Sequence, residues 1–186
     1  LDLKTFPTII LNSRNINCFI GGDLFPTIYL SEKSLNDGYA NTILAHEVGH
    51  YYFQDTKKTV ILFCIFLGSM LSLALLTNPY IYLISYPLIS LFFALFSNYI
   101  SRKVEYRADL FSKAFCGYEN KKKLLKYLKK GEIIEKHSLF RTHPTIEQRL
   151  LNIKMNNYQL PKREKDYLNY FSFMDSIVNQ LKENDE

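Results

Sequence analysis

His46-Glu47-Val48-Gly49-His50 is the stretch around which the rest of this 186-residue chain is organised. Residues four apart on a helix lie one above the other. A helix through this stretch therefore presents the imidazoles of His46 and His50 on one face, at a spacing that suits one metal ion. Glu47 is one step round from His46, near such an ion but out of line to bind it. From there it can take a proton from an attacking water. Gly49 has no side chain, so another segment or a substrate can come close to the helix. H-E-x-x-H is the pattern of a zinc-binding helix that carries its own general base. The competing reading is a plain amphipathic helix, with Ala40, Ile43, Leu44 and Val48 facing a core and both His partly buried. A third ligand elsewhere in the chain decides between the two.

That ligand is expected beyond an unusual insertion. Residues 59–100 contain no Asp, Glu, Lys, Arg or His, although both flanks are charged. Thr59–Leu76 and Ile81–Ile100 are split by Thr77-Asn78-Pro79. At about 1.5 Å per residue they make helices of roughly 27 and 30 Å, near the hydrocarbon thickness of a bilayer. Asn-Pro is a turn signal, so 59–76 and 81–100 read as a transmembrane helical hairpin. Pro87 is tolerable inside such a helix. Tyr80, Tyr82, Tyr86 and Tyr99 offer interfacial anchors. A domain of this size could hardly surround two such helices as a soluble core. Lys57 and Lys58 precede the hairpin, and Arg102 and Lys103 follow it. Basic pairs at both outer ends place that side in the cytoplasm.

Arg102–Phe115 reads as a helix, continuous with the second span or starting afresh. Glu105 and Asp109, four apart, share one of its faces. Alone they would be a solvated charged face. Beside an H-E-x-x-H helix, Glu105 is the expected third ligand, because two His and one carboxylate leave a zinc position open for water. Asp109, one turn on, is placed to accept the free ring N–H of a ligating His.

The remaining segments read as scaffold. Thr8–Leu11, Asn17–Ile20 and Thr27–Leu30 are short apolar or β-branched runs. Gly21-Gly22-Asp23 and Phe25-Pro26 punctuate them, which predicts a small antiparallel sheet of two or three strands. An exposed edge of it could hold an extended substrate peptide. Asn36 or Asp37 is the expected cap of the His46 helix, which fades near Gln54-Asp55. Asn120–Lys136 is a Lys-rich helix with an apolar stripe of Leu124, Leu125 and Leu128; its lysines read as a solvated face, and Gly131 ends it. Thr145 and Gln148 match a capping box for a helix to about Met155, with His143 in the loop before it. Leu168, Phe171, Met174, Val178 and Leu181 give 157–186 the pattern of an amphipathic helix.

The net charge of +5 comes without a Lys/Arg patch interleaved with aromatics, so no nucleic-acid partner is expected. Three Cys, odd in number and unpatterned, argue against a disulfide framework. The chain starts at Leu1 without a Met, as expected of a processed or excised piece.

In this combination the sequence resembles the membrane metalloproteases of the HtpX and type I CAAX prenyl protease family. The resemblance rests on His46-Glu47-x-x-His50, the apolar hairpin, Glu105-x-x-Ala108-Asp109, and His143-Pro144 followed by Arg149. Asn17-Cys18-Phe19-Ile20-Gly21-Gly22 and Pro26-Thr27-Ile28 resemble the strand pair beside that family's active site. The resemblance implies a gluzincin fold with its active site facing the cytoplasm. It implies zinc on His46, His50 and Glu105, with Glu47 as general base. His143 would position substrate or stabilise the oxyanion. Arg149 would be a buried charge, structural or in the active site.

The expectation is thus a single α+β, mainly helical metalloprotease domain over 1–186. It is a zincin-like core with a small antiparallel sheet and a two-helix transmembrane insertion. The expected activity is that of an integral-membrane, multi-pass zinc endopeptidase with one Zn2+ per chain, a protein or peptide substrate and the lipid bilayer as partner. The rival is a membrane sensor or scaffold that keeps a zinc site without significant proteolysis; an intact Glu47 argues against it, since a scaffold has no use for the base.

Overall fold

The computed structural model describes residues 8–12, 19–21, 27–31, 38–131 and 143–156. The amphipathic helix expected over 157–186 and the caps expected at Asn36 or Asp37 lie outside these residues.

Three strands come first: β1 (Thr8–Asn12), β2 (Phe19–Gly21) and β3 (Thr27–Ser31). They form one sheet in the order β1-β3-β2. β2 runs antiparallel to β3, with Phe19 opposite Tyr29. β1 runs parallel to β3, with Thr8 opposite Thr27. The sheet is therefore mixed, not antiparallel as the sequence led us to expect. The alternation of side chains that marks a strand carries no information on the direction of its neighbour. β3 takes the middle position because it pairs with both others.

The His46 segment is helix α1 (Ala40–Tyr52), which packs against β2 and β3 on one side. Its N-cap is Tyr39, without a side-chain hydrogen bond. Gln54 stops it by adopting the left-handed conformation at φ 54°. A side chain beyond glycine pays about 1–2 kcal/mol for that geometry. The left-handed residue turns the chain, and α2 (Asp55–Leu76) starts immediately after it.

Helix α3 (Pro79–Cys116) is 38 residues long. Asn78 caps it, its side chain accepting from Tyr80 N at 2.9 Å, and Pro79 occupies the first turn, where a missing N–H is harmless. The second uncharged run and the Glu105 segment are thus one continuous helix through Pro87. At about 1.5 Å per residue it is roughly 57 Å long, more than a bilayer core requires.

Helices α2 and α3 are both long and apolar enough to cross a membrane, and almost none of either apolar stretch is buried within the chain. A buried soluble hairpin would look the opposite. Phe66 and Phe93 stack between the helices with ring centroids 4.0 Å apart. Ser69, Ser72 and Ser85 each donate to the carbonyl four residues back, so these hydroxyls need no water.

Helix α4 (Tyr118–Gly131) follows Gly117, whose φ of 82° lets the chain turn out of α3. Helix α5 (Ile146–Met155) opens with the full capping box: Thr145 Oγ accepts from Gln148 N, and the Gln148 side chain accepts from Thr145 N. Leu125, Ile146 and Ile153 are buried together, with Leu110, Tyr118, Leu128 and Leu150 against them. Each such side chain contributes about 1.5–3 kcal/mol when fully buried. This small core fastens α4 and α5 to the lower part of α3.

Candidate metal centre

The centre forms where α1 crosses α3, and Gly49 is the reason they come so close. A Cβ there would meet Ala108 Cα at 3.2 Å and Phe111 Cβ at 3.3 Å. Ser112 Oγ donates to the Thr42 carbonyl at 2.8 Å and pins the same contact. The close crossing brings Glu105, on α3, level with the two imidazoles of α1.

His46 Nε2 and His50 Nε2 are 3.3 Å apart. Glu105 Oε2 is 3.4 Å from His46 Nε2, and Glu105 Oε1 is 3.6 Å from His50 Nε2. Zinc bonds of about 2.0–2.1 Å in a tetrahedron separate their ligand atoms by about 3.3–3.4 Å. The three donors already stand at nearly that spacing, so His46, His50 and Glu105 form a group able to hold a metal ion.

The outer ring nitrogens support this fit. His50 Nδ1 is 3.0 Å from Asp55 Oδ2, and His46 Nδ1 is 3.2 Å from Asp109 Oδ1. An ionised carboxylate only accepts, so each Nδ1 carries the proton and donates it. Lys121 Nζ also lies 3.4 Å from His46 Nδ1, but its shorter bond, 2.8 Å, goes to Asp109. In the neutral imidazoles both Nε2 lone pairs then point at one another. Two facing lone pairs repel, and a cation between them removes the conflict. The residues present fit a zinc ion.

Charge is balanced around the three candidate ligands. Asp109 is wholly buried and accepts from Arg149 Nε at 2.7 Å and Nη2 at 2.6 Å as well as from Lys121. Burial works against its charge, but Lys121 and Arg149 outweigh it and hold the carboxyl well below the usual range. Burial likewise opposes the charge of Glu105. The hydrogen bond from His143, with the charge of Arg149, overcomes it and holds the Glu105 carboxyl below the usual range. Burial lowers Lys121 from its ordinary value, against the pull of Asp109. For Glu47, beside the cluster, burial pushes the carboxyl up, and the charge of Glu105 adds to the rise.

His143 is the open member of the group. It sits just ahead of Thr145, its side chain is mostly exposed, and its Nδ1 is 3.3 Å from Glu105 Oε1. That hydrogen bond raises its pKa, against the effect of burial. Arg149 is 3.6 Å from Glu105 Oε2, so it touches both a candidate ligand and Asp109.

All seven residues singled out in the sequence thus meet in one place. Three more belong there that the sequence did not mark. Lys121, 1 % exposed, is buried against Asp109 and is not part of a solvated face. Asp55 and Arg107 pair with each other behind His50. Lys121 is one of three consecutive lysines, Lys121 to Lys123, and nothing local distinguishes it. Asp55 follows His50 by five residues, a spacing with meaning only once the turn at Gln54 is known.

The similarities of the chain agree with this geometry. A crystal structure of S. mikatae Ste24p superposes with a TM-score of 0.60 at 20% sequence identity, covering 82% of this chain and 47% of that one. At that identity the likeness speaks for the fold, and the chain spans about half the length of that protein. No curated protein matches the chain. The profile of peptidase family M48 matches residues 2–156, a span that holds the sheet, the H-E-x-x-H helix, the hairpin, Glu105 and His143. Sequence pattern, site geometry and fold converge: the chain belongs to peptidase family M48.

Proposed function

We propose that the chain is a membrane-anchored zinc endopeptidase that hydrolyses peptide bonds in protein substrates. The observation that carries this is the convergence of His46, His50 and Glu105 at ligand spacing, with Glu47 beside them. When bound there, zinc supplies Lewis acidity, polarising a scissile carbonyl and lowering the pKa of water toward about 7.

The chain's own residues do the rest. Glu47 takes the proton from the water that attacks the carbonyl carbon. As the C–N bond breaks it passes that proton to the leaving nitrogen. Burial, which makes Glu47 a stronger base than an exposed carboxylate, suits that task. Asp55 and Asp109 hold the imidazoles by their Nδ1–H groups, so both Nε2 atoms stay free of protons. His143, exposed beside Glu105, is the donor available to the carbonyl oxygen as negative charge develops there. β2, the outer strand against α1, is the edge that an extended substrate would pair with.

Residues 59–76 and 81–100 cross the bilayer twice. The centre then lies on the cytoplasmic side, marked by Lys57, Lys58, Arg102 and Lys103. Membrane-associated or misfolded proteins are the substrates such a location favours.

Two variants test the chemistry. Glu47→Gln should keep one zinc per chain and lose cleavage of a denatured model substrate by about 10²–10⁴-fold, because an amide cannot accept the proton. Glu105→Gln should lose the zinc itself. Near-normal turnover by Glu47→Gln would assign the base elsewhere, and zinc-loaded wild-type protein that cleaves nothing would favour a scaffold. For the topology, single cysteines at Lys57 and Lys103 should be shielded from an impermeant thiol reagent in intact cells, and one at Asn78 should label. The reverse pattern would put the centre on the other face.

A further inference from the structure

The two imidazoles of the centre are braced from different places. His46 is backed by Asp109, in the interior of α3, where Arg149 and Lys121 close around it. His50 is backed by Asp55, the first residue of α2, at 3.0 Å. The other oxygen of Asp55 is bound by Arg107 Nη2 on α3. Asp55 stands just before the uncharged run that starts at residue 59. Arg107 stands just after the one that ends at residue 100. They are the two feet of the hairpin, joined to each other and to one imidazole.

The surroundings hold this pair in place. The Arg107 guanidinium lies 4.2 Å from the ring centre of Phe53, the residue that closes α1. Phe53 packs edge-on to Phe111 of α3, with centroids 5.9 Å apart. The left-handed Gln54 folds the chain so that Asp55 comes back beneath His50. The simpler reading of Asp55 is an acidic residue that favours the positive end of α2. That role asks nothing of its side-chain partners. Here the side chain is buried, and its two oxygens go to His50 and Arg107, both outside α2.

We propose that Asp55 and Arg107 are positioning residues for His50, so that the feet of the membrane hairpin set the orientation of one metal-binding imidazole. Asp55 fixes the tautomer by accepting the Nδ1 proton, which leaves Nε2 as the donor toward the centre. Arg107 holds Asp55 in that pose. The inference rests on the reading of His46, His50 and Glu105 as metal ligands.

The test uses the full chain purified in detergent micelles. Zinc affinity is measured by competition with a chromophoric chelator, and ligand geometry by the visible spectrum of the cobalt-substituted protein. Asp55→Asn, which keeps a polar residue at the start of α2, should weaken zinc binding about 10–100-fold and alter the cobalt bands. Arg107→Met should weaken it in the same direction by a smaller factor, and Arg107→Lys should restore part of the loss. The double variant should bind no more weakly than Asp55→Asn alone, because Arg107 acts through Asp55. An Asp55→Asn protein with zinc affinity within twofold of wild type and an unchanged cobalt spectrum overturns the proposal. If Asp55→Asn does not fold, Arg107→Met decides alone, and unchanged affinity and spectrum there overturn it. Wild-type protein that binds no zinc, or Glu105→Gln with wild-type affinity, overturns the metal reading itself. Those results differ from a wild-type protein that binds zinc and an Asp55 variant that binds it equally well.

Discussion

At the crossing of α1 and α3, Asp109 and Lys121 are buried almost without remainder, while at the tip of the hairpin Leu75 and Leu76 are 75% and 84% exposed. A soluble protein of ordinary composition would have these reversed. In the centre, each buried charge has a partner: Asp109 has Arg149 and Lys121, and Asp55 has Arg107. Unpaired, such groups would be very costly; paired, they hold the two imidazoles still. In the hairpin no charge needs a partner, because residues 59–100 carry none, and the apolar side chains face outward, as a helix pair in hydrocarbon would require. The comparison shows two regions of opposite character in one chain: a paired, buried polar cluster and an exposed apolar hairpin.

This contrast can be broken at its polar end first. Asp109→Ala removes the shared partner of Lys121 and Arg149 and leaves two buried cations facing each other. The loss should be about 3–5 kcal/mol of stability, read as a shift of the unfolding transition in detergent. A shift below 1 kcal/mol, on the scale of an exposed ion pair, would mean that water reaches the cluster.

The apolar end is tested by adding a charge. Ile65, near the middle of α2, is 61% exposed. Ile65→Lys should cost about 2.5–3.5 kcal/mol of insertion if that face meets lipid. It should cost nearly nothing if the face meets water. Insertion scored by glycosylation-site mapping or carbonate extraction separates the two.

The junction between the regions gives the smallest effect. Gly49→Ala places a methyl against Ala108 and Phe111, so α1 and α3 must part by a few tenths of an ångström. Overpacking of this kind costs about 1–3 kcal/mol. Because the same crossing sets Glu105 beside the imidazoles, zinc affinity should fall along with stability. A destabilised Gly49→Ala protein with unchanged zinc affinity would show that Glu105 follows α1 independently of the close contact.

Much of the molecule was legible before any coordinates. H-E-x-x-H and Glu105-x-x-x-Asp109 can be read because a helix puts residues four apart on one face. The hairpin can be read because 42 residues without a charge, 59–100, leave few alternatives. The box at Thr145 and Gln148 can be read because its hydrogen bonds close within one turn. Each of these is a local regularity, complete within a few residues or one continuous run.

Tertiary structure decided what depends on distant segments meeting. It made the sheet mixed, since strand direction follows from the path of the connections and not from the strands' own residues. It merged the second apolar run with the Glu105 helix into one rod. It chose Lys121 from among its neighbours to meet Asp109, and it brought Asp55 and Arg107, 52 residues apart, together behind His50. The residue types that can bind a metal are written in the chain. Which carboxylate steadies which imidazole is set by the packing of α1 against α3 and by the turn at Gln54, because a hydrogen bond between side chains depends on where the backbones place them, at distances that local sequence does not encode.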